Sequence, residues 1–307
     1  MSEATSVTLV IDFQKQPGAA REVRRLAAFP DTATLEKALD MAARAPSAQN
    51  SQPWHWRVSG EGVHLYADRS RQLGEAESDR RDILLSCGGV LDHCVVALAA
   101  HGWHSRLRRF PDASDHDHLA LIEIIEAPAT EPNRELALAI PRRRADRRRY
   151  GAGPIPRGTL ELLYIRAARR QVTLGVVPTI RWARRDDGGV VLRYGGAASN
   201  ADATHEDDGV LLVLGTDTDN DVMRLRAGET MSRLLLSATA LGLVSCPLTD
   251  PLKQTRDRLA LACEVFDGDG YPQALIRLGQ ASADSDPLPV VERLSLAETT
   301  SWDRGVR

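Results

Sequence analysis

Two long apolar stretches of this chain, residues 81–101 and 225–241, superimpose when one is shifted by 140 positions. Gly88 then falls on Gly228, Leu91 on Met231, Cys94 on Leu234 and Gly102 on Gly242, and Ser105 falls on Ser245 just beyond. Both stretches have helical length, and each runs into a glycine, the residue that a left-handed C-terminal cap requires. One matched glycine means little, because many helices end in one. Two matched glycines within the same strand–helix–strand order predict an internal duplication, each half giving one long helix to a common core. The competing reading is that two helices of any mixed α/β chain can be aligned in this way.

The first half reads as a helix over 32–44, with Leu35, Ala38, Leu39 and Ala42 at helical spacing, a cap at Asp31 or Thr32 and a stop at Pro46. Strands are predicted over 54–58 and 62–68, followed by the long helix and a strand over 119–125 that runs into the Pro-rich residues 127–132. The second half offers an apolar strand over 209–216, its own long helix and a strand over 274–278. The expected organisation is an N-terminal arm (1–30), a first half (31–140) and a second half (141–307). Within the second half, residues 160–208 read as irregular and lid-like. Residues 195–208 in particular hold Gly, Ala, Ser, Asn and Asp and almost no large apolar side chain.

At roughly 150 residues per domain, 307 residues allow about two domains. A hydrophobic share of 43% is enough for a sizeable core, and a net charge of −3 leaves no chain-wide basic footprint for nucleic acid. Cys87, Cys94, Cys246 and Cys263 form no C-x-x-C pair and read as reduced, mostly buried thiols of a cytoplasmic protein. The first sixteen residues carry Glu3 and Asp12 but no basic region leading into an apolar one, so no signal peptide is expected. The most apolar run, residues 83–100, is broken by Asp92, His93 and two glycines and reads as too short and too polar to span a bilayer. Neither a membrane nor a nucleic acid is expected as a partner.

The most informative local segment is Ala45-Pro46-Ser47-Ala48-Gln49-Asn50-Ser51-Gln52-Pro53-Trp54-His55-Trp56, between a helix and a strand. Two prolines restrict it, and Ser47, Asn50, Ser51 and Gln52 offer hydroxyl and amide groups at close spacing, suited to the donor–acceptor edge of a flat heterocycle. A capped turn with two core tryptophans explains the same residues without a ligand. Arg142-Arg143-Arg144-Ala145-Asp146-Arg147-Arg148-Arg149-Tyr150 is the second such segment. Forked guanidiniums suit a phosphate dianion, and a solvated basic run or a nucleic-acid or membrane patch are the alternatives. Asp115-His116-Asp117-His118 has metal-capable side chains, but neighbours on an extended segment point opposite ways, so a polar turn is preferred and no metal is expected. His93, alone on an apolar helix, reads as a satisfied core or interface residue. Gly151-x-Gly153 is interrupted by prolines, follows no strand and is not a dinucleotide fingerprint.

The run Pro-Ser-x-x-Asn-Ser-Gln-Pro-Trp-His-Trp resembles the flavin-contacting loop of the nitroreductase family. Ser47, Asn50 and Gln52 match the positions that hydrogen-bond the flavin there. The family's phosphate-holding pattern, Arg-Arg-Ser-x-Arg, does not precede the first helix. A similar one lies in mid-chain, with Arg143, Arg144 and Arg147 at the matching positions and Ala145 in place of the hydroxyl, which removes one hydrogen bond. The combination is most similar to the Acg-like branch, the dormancy-associated nitroreductases. The resemblance covers residues 31–160 and 209–298 and implies an α+β, nitroreductase-like fold in tandem, a pseudo-duplicate that mimics the family homodimer in one chain. It also implies a single site for flavin mononucleotide (FMN) between the halves. Pro247, Leu248 and Thr249 match the segment facing the flavin ring near N5, although a helix cap and turn account for them equally. Arg277 and Arg293 fall where similar proteins place C-terminal basic residues by the phosphate.

What the resemblance implies for function is an FMN-dependent NAD(P)H oxidoreductase. NADPH or NADH would be the donor and a nitroaromatic or quinone-like molecule the acceptor, with hydride passing through flavin N5 and no catalytic side chain required. The alternative is an FMN-binding, sequestering protein with an occluded site and little turnover. A fused pair is compatible with a monomer or a homodimer.

Overall fold

Asp31 starts the first helix: its Oδ1 accepts from the backbone N–H of Thr34 at 2.7 Å, and helix α1 (Thr32–Ala42) buries Leu35, Ala38, Leu39 and Ala42 along one stripe. From this point the computed structural model describes residues 29–74, 76–194, 204–205, 208–283 and 286–303. The expected N-terminal arm therefore lies outside the described residues except for Phe29 and Pro30, and so does most of 195–208. After α1 come β1 (Trp54–Ser59), β2 (Gly62–Ala67), the long helix α2 (Glu77–Ala100), β3 (Trp103–Arg109), β4 (His118–Glu126) and α3 (Glu131–Ala139). Next are α4 (Thr159–Ala168), β5 (Thr173–Val177), β6 (Trp182–Arg185), β7 (Val190–Leu192), β8 (Thr204–His205) and β9 (Val210–Thr216). The chain continues with α5 (Asp221–Ala240), β10 (Val244–Leu248), α6 (Thr255–Phe266), β11 (Tyr271–Gly279), α7 (Leu296–Thr299) and β12 (Thr300–Trp302).

The strand order exposes the repeat. Four strands of the first sheet run β1-β2-β4-β3, and the second sheet runs β5-β9-β11-β10, so helix-strand-strand-helix-strand-strand occurs twice with the same neighbours. Two insertions distinguish the second copy: the small sheet β7-β6-β8 between β5 and β9, and α6 between β10 and β11. The C-terminal β12 crosses back to lie parallel beside β1, pairing Trp56 with Thr300 and Val58 with Trp302, so the last strand of the chain completes the first half's sheet.

The helices α2 and α5 cross at their glycines. A Cβ on Gly88 would lie 2.1 Å from the Leu225 carbonyl oxygen and 2.9 Å from the Gly228 Cα, and one on Gly228 would lie 2.2 Å from the Leu85 oxygen. Leu85 and Leu225 are themselves 140 positions apart, so the contact is reciprocal, as a two-fold interface demands. The polar contacts follow the same axis. Ser232 Oγ donates to Asp92 Oδ2 at 2.8 Å, and Asp92 and Ser232 are also 140 apart. Gly102 and Gly242 end the two helices at φ +86° and +78°, the left-handed caps that the matched glycines predict. His93 is fully buried, its Nδ1 lying 3.1 Å from the Gly89 carbonyl and 2.8 Å from Ser232 Oγ. Burial, then the Arg143 charge, push its imidazole down to about 3, so it is a neutral interface residue.

Three expectations need correction. Residues 160–208 are not simply irregular: α4 and β5 repeat α1 and β1. The small sheet packs Trp182, Val190 and Leu192 with Leu248, Leu252 and Leu275 beneath the second sheet. Strands of two to five residues are too short to show a period, and two of the four residues of β6 are arginine. Strand β3 was also missed, since only alternate residues are partly covered and its sequence is largely His, Ser and Arg. The apolar run at 83–100 grows into α2, which is long and apolar enough to cross a membrane. What it does instead is pack inside the fold, with 89% of its most apolar window buried. Both faces of β9 are covered, Leu212 and Leu214 on one side and Leu211 and Val213 on the other, which is why that strand is continuously apolar.

Candidate functional site

A cleft of about 450 Å³ runs between the halves, continuous with a smaller space of about 90 Å³; Pro46, Ser47, Gln49, Arg147 and Pro247 line both. One wall is the loop after α1. Gln49, Asn50 and Gln52 have φ of 47°, 57° and 49°, left-handed values that cost non-glycine residues energy and must be held by their surroundings. Ser47 Oγ accepts from Gln52 N at 3.0 Å, Ser86 Oγ of α2 accepts from Ala48 N at 3.3 Å, and Trp54 and Trp56 anchor the following strand at 1% exposure each.

The opposite wall is the arginine run. Its backbone bridges to β10, Ala145 pairing with Ser245 and Asp146 N donating to Ser245 O at 3.0 Å. From beneath, the fully buried Arg277 donates to the carbonyls of Asp146 and Arg148 (3.0 and 2.5 Å) and stacks on Tyr150 at 4.0 Å. Arg277 is thus a backbone support and does not line the cleft. Asp146 turns away to pair with Arg148 at 2.8 Å. Arg143 is driven inward to 5% exposure. Its Nη2 donates to Arg44 O at 3.2 Å, while Nε and Nη1 are buried without a hydrogen-bond partner. Burial, with Arg293 and Arg144 close by, pushes its guanidinium down to about 10. Arg144 reaches the carbonyls of Pro289, Pro141 and Arg143, and Arg147 is exposed at the junction of the two spaces.

The third wall comes from residues 289–294. Arg293 Nη1 donates to Asn50 Oδ1 at 2.8 Å, Asn50 Nδ2 donates to Glu292 O at 3.1 Å, and Leu294 N donates to Gln52 Oε1 at 3.0 Å. Burial, then Arg144 and Arg44, push the Arg293 guanidinium below its ordinary value. Of the residues named from the sequence, Ser47, Asn50, Arg143, Arg144, Arg147, Pro247 and Arg293 line the larger space, and Leu248 and Thr249 line the smaller one. Gln52 does not line either. It is buried and ties the loop to residue 294.

Sequence reasoning missed Asp40, Arg44, Gln49 and the 290–292 wall of the larger space, and Asp82, Ser86 and Lys253 in the smaller one. Asp82 is 4% exposed and lies 3.4 Å from Lys253 Nζ. Burial pushes its carboxyl above the usual range, opposed by Thr249 and Lys253. Its signal was a carboxylate inside the buried face of an apolar helix. Among the described residues no cluster of three or more His, Cys, Asp or Glu has metal-binding geometry.

A flavin mononucleotide fits the chemistry of this donor set. The crowded guanidiniums suit a phosphate dianion, Arg143 carries two orphaned buried nitrogens, and the strained amide loop faces the same space.

No family model matches the chain. The Mycobacterium tuberculosis (strain H37Rv) protein named "Putative NAD(P)H nitroreductase Rv3131" is 39% identical over 89% of this chain and 93% of its own length. "Putative NAD(P)H nitroreductase acg" of the same strain is 31% identical over 88% of this chain and 97% of its own. Among solved structures, a "putative nitroreductase" from Anabaena variabilis superimposes with a TM-score of 0.52 over 84% of this chain and 90% of that one, at 12% identity, a likeness of fold.

Proposed function

Because this chain belongs to the nitroreductase family, in its Acg-like branch, we propose that its inter-half cleft binds one FMN and that it is an NAD(P)H-dependent oxidoreductase. The observation that carries this reading is Arg143, a buried guanidinium with two unpartnered nitrogens in a cleft that also holds Arg144, Arg147 and Arg293. These four would hold the phosphate. Ser47 and Asn50 on the loop, with Pro247, Leu248 and Thr249 opposite, would hold the ring. When bound, the flavin supplies hydride transfer through N5, between NADPH or NADH and a small nitroaromatic or quinone-like acceptor.

The protein's own residues bind, orient and screen. Ser86 and Ser47 keep the loop in its strained shape. Gln52 and Asn50 fasten the 289–294 wall, whose Val290 and Val291 add apolar cover at the rim. Asp82, beside Lys253, is able to hold a proton inside the smaller space at a higher pH than an exposed carboxyl. The α2–α5 interface already supplies within one chain the contact between the halves, which supports one site per chain without a second copy.

Purified protein should be yellow and release FMN on heating, and anaerobic NADPH or NADH should bleach it rapidly in a stopped-flow experiment. A flavin that resists both nucleotides yet accepts electrons from dithionite would replace the enzyme by a sequestering protein. Colourless protein that takes up no added FMN would overturn both readings.

A further inference from the structure

The two-fold relation between the halves implies a second cleft, and the structure has a cavity at that place. In the first cleft, Ser86 and Thr249 line the smaller space, and Gly89 lies under the loop, where a Cβ would come 3.5 Å from the Pro46 oxygen. Shifting each by 140 positions turns Ser86 into Arg226, Gly89 into Glu229 and Thr249 into Arg109. All three line one cavity of about 320 Å³, together with Arg169, Arg170 and Gln171. Those last three belong to the short connection 169–172 between α4 and β5, which stands where the long loop 43–53 stands between α1 and β1. At each position a small residue of the first cleft is replaced by a large charged one, and the loop that would face a flat ring is missing. The second copy of the cleft has kept its place in the fold and changed its chemistry.

The charges in it do not cancel. Arg109 forks onto Glu229 at 2.7 and 2.7 Å, and Arg170 lies between Asp92 (3.1 Å) and Glu229 (3.7 Å). Asp92 is shared with Arg233 at 2.8 Å, so two carboxylates already serve three guanidiniums. Arg226 donates through Nη1 only to the neutral amide of Gln171, and its Nε is buried without a hydrogen-bond partner. Arg169 stands exposed at the same cavity with no carboxylate among the described residues within ion-pair distance. Among the described residues, Arg169 and Arg226 thus face a cavity of molecular size with no carboxylate of their own in ion-pair distance. Forked guanidiniums in that state suit bidentate recognition of a phosphate, whose double charge answers both of them.

We propose that this cavity binds a phosphate or diphosphate group, free or carried by a nucleotide, as a second ligand site distinct from the first cleft. The proposal rests on the internal symmetry and on the unneutralised arginines, and not on what the first cleft holds.

The full chain, saturated with FMN, is titrated calorimetrically with pyrophosphate at low ionic strength in a phosphate-free buffer. One saturable site is expected, weakened about tenfold or more by Arg169→Gln and again by Arg226→Gln, and unchanged by Arg256→Gln at an exposed position away from both cavities. Arg169 is exposed, so its variant keeps the test valid even if Arg226→Gln is less stable. ADP is then titrated in the same way. Binding tighter than pyrophosphate assigns a nucleotide as the source of the phosphates, and equal or weaker binding assigns free phosphate. Absence of saturable heat into the millimolar range, or binding retained in Arg169→Gln or weakened equally by Arg256→Gln, overturns the proposal.

Discussion

Replacing Arg143 with methionine should move stability and flavin binding in opposite directions. The guanidinium is 5% exposed and is pushed down to about 10, well below its ordinary value, mainly by burial and next by Arg293 and Arg144. Keeping it charged at neutral pH therefore costs about 3 kcal/mol. The folded value is the lower one, so this cost is constant below about pH 10 and is relieved only as pH rises from there toward the unfolded value; a measurement at pH 7 reads all of it. Methionine fills a similar volume, removes the charge and gives up one hydrogen bond, to Arg44 O at 3.2 Å, contributing about 1 kcal/mol. The flavin-free variant should then be more stable than the parent by about 2 kcal/mol, a rise of a few degrees in melting midpoint for a chain of this size. Its FMN affinity should fall, because the two unpartnered nitrogens, Nε and Nη1, would otherwise each give a charge-assisted bond to phosphate. The loss is about 3 kcal/mol, on the order of a hundredfold in Kd. Thermal melts of flavin-stripped protein and quenching of FMN fluorescence on titration measure the two effects. A lower midpoint together with an FMN affinity within about a factor of two of the parent would show that the guanidinium is a structural support, and the reasoning from orphaned nitrogens would fail.

Gly228→Ala should destabilise the protein by about 2 kcal/mol despite alanine's helix preference, because the new Cβ meets the Leu85 backbone oxygen at 2.2 Å; urea unfolding with an unchanged midpoint would contradict the close crossing. Asp92→Asn should cost about 3 kcal/mol or more by leaving Arg170 and Arg233 without their buried carboxylate. Burial works to raise the Asp92 carboxyl, but Arg233 and Arg170 hold it below the ordinary value, so its stabilisation is present above the unfolded carboxylate range and lost as pH falls through the folded one. The variant's acid-unfolding curve should accordingly be flatter below about pH 4. Asn50→Ala should free the 289–294 wall, since it removes the bonds to Arg293 and Glu292 O; faster hydrogen exchange over those residues, with α1 unaffected, is the expected pattern.

The duplication was legible in the linear chain because its signal is local: apolar spacing along two helices and a glycine at a fixed place in each, enforced by backbone contact at Gly88 and Gly228 and by left-handed caps at Gly102 and Gly242. The loop at 46–54 was legible for the same reason, since prolines, amides and tryptophans act within a few residues of each other. Strand β3 and the small sheet β7-β6-β8 were not legible, because solvent on one face or a very short span leaves no apolar period. Nor does a row of arginines reveal which one turns inward. The bridge from Ala145 to Ser245 and the support from Arg277 decide that, and they join residues a hundred or more positions apart. The same holds for Gln52, whose amide holds residue 294, and for Arg109, Arg226 and Glu229, which become one cavity only after the halves close on their axis. Backbone propensity and side-chain pattern act over a few residues and can be read in order. Which charged groups lose their water, and beside which partners, depends on the packing of the whole chain.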